Sequence, residues 1–166
     1  PHALYKIASI SKLYSAVAIT KLVNNEQLSL TNTLADYFPE LAGRIENADK
    51  ITLKMMVQHR SGIPNYTDTP NYWTYPAENY QTALDLILDL PANFKPDSDY
   101  EYSNTNYLLI AKLIEKTTGK ERFQYIKDEI LTPLNLVNTY GSLNDVNIQN
   151  LMGGYHVGVE DDIKSY

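Results

Sequence analysis

The sequence predicts a mainly helical single domain with very little sheet, and three observations lead there. The chain has 166 residues, 43% of them hydrophobic, which is enough apolar material for one core. Apolar side chains recur at mixed three- and four-residue spacing through most segments. Strand-like composition is confined to the end of the chain, around residues 138–142 (NTYGS) and 151–159 (LMGGYHVGV).

Taken in order, Leu13, Ala16, Val17, Thr20, Leu22 and Val23 have the spacing of a largely buried helix running from Ser9 to about Asn25. Ser9 or its neighbour then opens that helix. Residues 28–41 (LSLTNTLADYFPEL) read as a turn leading into a short helical piece ended by Pro39. Thr52 is placed to cap a second helix in 51–59, which stops before Ser61-Gly62-Ile63-Pro64. From Asn65 to Pro76 the chain holds Tyr66, Tyr72, Trp73 and Tyr75 without a usable period, as a long loop does. A helix follows in 78–90, closed by Pro91, and a polar loop (NFKPDSD) leads into 100–119. There Leu108, Leu109, Ala111, Leu113 and Ile114 predict a helix whose end is marked by Gly119. A last amphipathic helix in 121–134 is stopped by Pro133.

Composition removes several function classes. A net charge of −6 and no visible basic patch argue against a nucleic-acid partner, which would need clustered Lys and Arg for phosphate contacts. There is no cysteine, so disulfides, thiolate metal sites and a cysteine nucleophile are all excluded. Three scattered histidines, His2, His59 and His156, with no His-Glu-x-x-His pattern, predict neither a metal site nor a cofactor. No Gly-x-Ser-x-Gly occurs, which counts against an α/β-hydrolase triad. Fourteen tyrosines against three phenylalanines and one tryptophan mean many rings whose hydroxyl needs a partner or a wet edge. No apolar run approaches a membrane span, and a chain starting at Pro1 without a signal pattern suits a processed or truncated polypeptide.

Two short motifs carry chemistry. Ser9-Ile10-Ser11-Lys12 sets a hydroxyl and an amine three positions apart, hence on one helix face. A serine alcohol is a poor nucleophile until a neighbouring base takes its proton, and a desolvated lysine can be that base. A serine at a helix N-terminus also meets unpaired N–H groups that favour a developing oxyanion. The plainer alternative is a helix cap with a solvated lysine. Tyr102-Ser103-Asn104 places a phenol and an amide just before a helix, where the phenol could pass a proton and Asn104 could hold Lys12 and donate to a substrate carbonyl. Its plainer alternative is an N-cap by Ser103 or Asn104. His59 before Ser61-Gly62 reads as a turn and cap more than as a catalytic group, and the Tyr66–Tyr80 loop as either a cleft wall or ordinary packing.

Residues 5–30, 51–64 and 100–120 resemble, in order and spacing, three signature stretches of the serine β-lactamase-like and penicillin-binding-protein family, with its class C β-lactamases, D-alanyl-D-alanine carboxypeptidases and esterases. The resemblance runs from about Tyr5 to Tyr155. It implies that Ser9 matches the acylated serine, Lys12 the lysine base, Tyr102 the tyrosine and Asn104 the asparagine of a Tyr-x-Asn element that binds substrate. Ala8 stands where glycine is usual in the family, a small change expected to be tolerated. The implied fold is α+β, of the β-lactamase/transpeptidase type, with this chain supplying mainly the helical part and most of the antiparallel sheet missing.

The family's third element, Lys-Thr-Gly or His-x-Gly on a sheet strand, is expected to be missing: no Lys-Thr-Gly occurs, and the one His-x-Gly, His156-Val157-Gly158, stands in the strand-like stretch at the end of the sequence. By resemblance its strand would supply the second oxyanion-hole N–H and part of a carboxylate-binding surface. The expectation is a partial catalytic domain over 1–166, possessing the nucleophile half and partnered by the missing C-terminal half, with a degenerate relative as the competing explanation. The leading functional expectation is acyl transfer through a serine ester, on a β-lactam, a D-Ala-D-Ala peptide or a small ester. Its alternatives are a penicillin- or muropeptide-binding module that turns over slowly, and a structural helical adaptor. The resemblance implies a periplasmic or cell-envelope location.

Overall fold

The computed structural model describes residues 3–157 and 163–165. Its centre is a pair of helices, α1 (Ser11–Asn24) and α5 (Asn104–Thr118), packed on one another. From α1 the buried side chains are Ser15, Ala18, Ile19 and Leu22, a spacing of three and four that turns one face inward. From α5 they include Leu109, Ile110, Leu113 and Ile114, and α5 ends where Gly119 takes φ +68°, the left-handed conformation a glycine reaches without a Cβ penalty.

Shorter elements close around this pair. Thr33 and Thr52 each accept a hydrogen bond from the backbone N–H three residues on, capping α2 (Leu34–Tyr37) and α3 (Leu53–Val57). The two caps pair across an isolated antiparallel bridge, so the helices start side by side. α3 lies against α5 and inserts Leu53 and Met56 into the core. Beyond α5, α6 (Arg122–Ile126) packs on α1 and α5.

Four boundaries differ from the sequence expectation. The first helix proper begins at Ser11, and Ser9 sits in a 3₁₀ turn, Ala8–Ile10, just before it. The helix expected over 78–90 is only α4 (Tyr80–Asp85), capped by Asn79. It stops because the following segment is pulled onto residue 44: Arg44 grips both Asp89 oxygens at 2.8–3.0 Å while the Asp89 N–H reaches the Arg44 carbonyl at 2.7 Å. The last helix widens after Ile126 into a π-helical turn, Lys127–Leu131, which brings Ile130 and Leu131 inward together. Residues 138–142 form no strand; Gly141 instead lies so close to Phe123 that a Cβ would strike its ring, so the segment is held by contact with α6. Among the described residues the only sheet is the antiparallel pair β1 (Tyr155–Val157) and β2 (Ile163–Ser165). Residues 158 and 159 of the strand-like stretch lie outside the described residues, as does His2.

Candidate active site

The four residues singled out by sequence meet at one place. Lys12, on the first turn of α1, is anchored by a helix whose inner face is buried, while Ser9 is exposed on the 3₁₀ turn leading into it. The Lys12 Nζ donates to Ser9 Oγ at 3.0 Å and to Asn104 Oδ1 at 2.8 Å. The Tyr102 hydroxyl donates to Ser9 Oγ at 2.8 Å and lies 3.3 Å from Asn104 Oδ1. The Lys12 ammonium stands 4.9 Å from the Tyr102 ring centroid, within cation–π range.

The turn that raises Ser9 is strained. Ala8 has φ +44°, a left-handed conformation that costs a residue with a Cβ roughly 1–2 kcal/mol. Alanine is accommodated at this position, at a strain that glycine would not carry.

Asn104 and Ser103 do not cap α5 with their side chains, which disposes of the N-cap alternative. The Ser103 hydroxyl donates to the Pro64 carbonyl, and the Asn104 amide is spent on Lys12 and on the Thr67 hydroxyl, 3.2 Å from Nδ2. Asn65 Oδ1 accepts the Asn104 N–H at 2.9 Å, and Thr105 Oγ ties Pro64 and Tyr66 to the same helix start. The first part of the aromatic loop thus borders the site: Tyr66 shares a cavity of about 220 Å³ with Ser11, Lys12, Ser15, Asn104 and Arg122. Tyr66, Tyr72 and Trp73 then run outward edge to face, with Trp73 exposed.

Electrostatics single out Tyr102. Partial burial works to raise its pKa, but the interactions with Lys12 and Ser9 and the Lys12 charge together outweigh that and hold the phenol below the usual tyrosine value. Tyr66 and Tyr107, nearby, are pushed up by burial. A hydroxyl flanked by an amine and by a phenol that ionises more easily than its neighbours is equipped to lose a proton and to pass one on.

Sequence reasoning underrated residues 59–65. His59 is nearly buried, and its Nδ1 accepts the Ser103 N–H at 3.1 Å. The carbonyls of His59, Arg60 and Gly62 accept the N–H groups of Glu101, Asp97 and Asn93 at 2.8–3.1 Å, so this turn is the bed on which the loop to Tyr102 lies. Ser61 and Asn106, both buried, are bonded to each other at 2.7 Å. The signal in the sequence is the run His59-Arg60-Ser61-Gly62, whose reading as a turn and cap agrees with these contacts.

A serine and a lysine at the start of one helix and a Tyr-x-Asn element at the start of another, in this geometry, define the class of serine β-lactamase-like and penicillin-binding proteins. The chain belongs to the Beta-lactamase family, whose model matches residues 1–165. It is similar to protein flp of Staphylococcus aureus strain MW2, 29% identical over 140 residues covering 84% of this chain and 28% of that protein. It is also similar to a putative D-alanyl-D-alanine carboxypeptidase of Escherichia coli K12, 28% identical over 145 residues, 82% of this chain and 33% of that one. Among solved structures, the octameric penicillin-binding protein homologue from Pyrococcus abyssi superposes with a TM-score of 0.81 at 27% identity, over 98% of this chain and 39% of that chain. The chain thus spans about a third of the length of these relatives.

Proposed function

We propose that this chain is the nucleophile-bearing part of a serine hydrolase that works through an acyl-enzyme on a β-lactam, a D-Ala-D-Ala peptide or a small ester. The observation that carries the reading is the double contact on Ser9 Oγ, from Lys12 at 3.0 Å and Tyr102 at 2.8 Å. In this reading Lys12 takes the Ser9 proton as Oγ bonds to the substrate carbonyl carbon. Tyr102 gives its proton to the departing nitrogen or oxygen as the scissile bond breaks, and recovers one from Lys12. The Ser9 N–H donates to the oxyanion, and Asn104 holds Lys12 while its second amide hydrogen meets the substrate. Water then releases the acyl group by the same route reversed. The carboxypeptidase relative supports the peptide substrate, and a periplasmic or cell-envelope location goes with it as part of the proposal.

The test is covalent labelling of the longest polypeptide that carries these residues, with a fluorescent penicillin and, separately, an alkyl fluorophosphonate. Peptide mapping is expected to place the adduct on Ser9, and Ser9→Ala to remove it; equal adduct on the alanine variant would end the assignment. Release of the adduct over time separates a hydrolase from a module that is acylated and turns over slowly.

A further inference from the structure

His59 lies one layer behind the proposed catalytic residues, and none of the roles assigned above uses it. Two donors converge on its Nδ1: the Ser103 N–H at 3.1 Å and, at a longer 3.5 Å, the Asn106 amide. Asn106 is oriented by Ser61, whose hydroxyl donates to Asn106 Oδ1 at 2.7 Å, so Nδ2 is the end that faces the imidazole. An Nδ1 that receives donors carries no proton, which places the imidazole proton on Nε2. The ring itself lies against Tyr102, with centroids 4.6 Å apart and planes 32° from parallel, and against Tyr107 at 5.1 Å. Its own backbone carbonyl accepts the Glu101 N–H at 3.1 Å. His59 therefore touches the residues on both sides of Tyr102 in sequence, and the phenol's own face.

Tyr102 has no comparable hold elsewhere. Its hydroxyl points to Ser9 and Asn104, and beyond His59 its ring meets the Lys12 ammonium at 4.9 Å, so these holds all come from the proposed catalytic and binding groups themselves. Residues 93–101 leading to it form no regular element and hang from the carbonyls of residues 59–62. A phenol at the end of such a segment keeps a 2.8 Å contact with Ser9 only if the backbone on either side of it is pinned.

We propose that His59 is the positioning residue for Tyr102: the neutral imidazole, its tautomer fixed by the Ser61–Asn106 pair, pins the Ser103 N–H and braces the phenol ring against Ser9. This rests on the acyl-transfer reading of the same site. Loss of the Nδ1 acceptor then slows acylation by misplacing the phenol, without weakening substrate binding, because His59 touches no substrate. Protonation has the same effect, since Nδ1–H would face the Ser103 N–H. Burial and the Lys12 charge both push the His59 pKa below its usual value, and the groups facing the ring are Lys12 and the phenols of Tyr100, Tyr102 and Tyr107. The neutral form is thus the resting form at pH 7, and acid removes it.

The experiment compares wild type, His59→Asn and His59→Phe in the full polypeptide. Asparagine accepts an N–H through Oδ1 and suits the left-handed φ of +57° at this position; phenylalanine keeps the ring and loses the acceptor. Fluorophosphonate labelling is expected to fall about tenfold or more in His59→Phe with an unchanged concentration for half-maximal rate. In His59→Asn it should stay within about fivefold of wild type, with one titrating step fewer on the acid side of the pH–rate profile. Amide exchange at Ser103, followed by NMR, is expected to quicken in the phenylalanine variant alone. A folded His59→Phe that labels at the wild-type rate and keeps Ser103 protected overturns the proposal, and so does an acid side of the pH–rate profile that is the same in His59→Asn as in wild type. If wild type takes no label while Ser103 still loses protection in His59→Phe, the acyl-transfer reading fails and the clamp on the 101–104 turn stands.

Discussion

At the scale of single residues, strain and proton traffic meet in the turn Ala8-Ser9-Ile10. Relieving the left-handed Ala8 by Ala8→Gly removes roughly 1–2 kcal/mol of strain, against about 0.4–1 kcal/mol lost to the freer unfolded chain. The expected net is a rise in thermal midpoint of up to a few degrees; a fall would show that the turn stores no strain. Lys12→Arg tests the base. Arginine keeps the charge and can still bond to Asn104, yet it accepts no proton at accessible pH. Labelling of Ser9 is expected to drop by on the order of a hundredfold at unchanged thermal stability. A rate within threefold of the parent would move the role to Tyr102, the phenol already held below its usual pKa. Ser9, Lys12, Tyr102 and Asn104 were legible because two short motifs set their spacing and the family resemblance joined them. The strain at Ala8 and the bonds made by His59 were not, since a φ angle and an imidazole tautomer come from tertiary contacts that no local pattern encodes.

At the scale of elements, the turn of residues 59–62 does more than end α3. Gly62 has φ +77°, and a Cβ there would run into the Phe94 carbonyl, so the loop to Tyr102 lies directly on this glycine. Gly62→Ala must both adopt a left-handed conformation and push Phe94 away, costing about 2 kcal/mol or more. At about 2–4 °C per kcal/mol for a chain of this size, the midpoint should fall by roughly 4–8 °C, read by circular dichroism. An unchanged midpoint would mean that the loop does not rest there. The helices α1, α3 and α5 were readable from apolar period, capping threonines and Gly119. The shortness of α4 and the π turn after α6 were not, because the first depends on Arg44 gripping Asp89 across 45 residues and the second on two adjacent apolar side chains both turning inward.

At the scale of the whole molecule, α1 is apolar on both faces. Ala18, Ile19 and Leu22 are sealed in the core, while Leu13 is 66% exposed, Val17 46%, and Ile10, just ahead of the helix, 59%. A helix of that composition is built to be covered on all sides. Fully burying one such side chain is worth about 1.5–3 kcal/mol, and these are about half exposed already. Two chains pairing this stripe would gain roughly 5–9 kcal/mol from six side chains, against about 4–15 kcal/mol for lost freedom of motion. The terms nearly cancel, and the net charge of −6 on each copy tips the balance further against pairing at low salt. The 166-residue chain is therefore expected to stay monomeric at micromolar concentration in low salt and to associate reversibly as protein and salt concentrations rise. Sedimentation velocity across that range provides the measurement. Leu13→Gln with Val17→Lys should abolish the association and leave the thermal midpoint within about 2 °C, because neither side chain belongs to the core. Association that persists in the double variant would place the sticky surface elsewhere, and a double variant that unfolds would show that the stripe is covered within the chain itself.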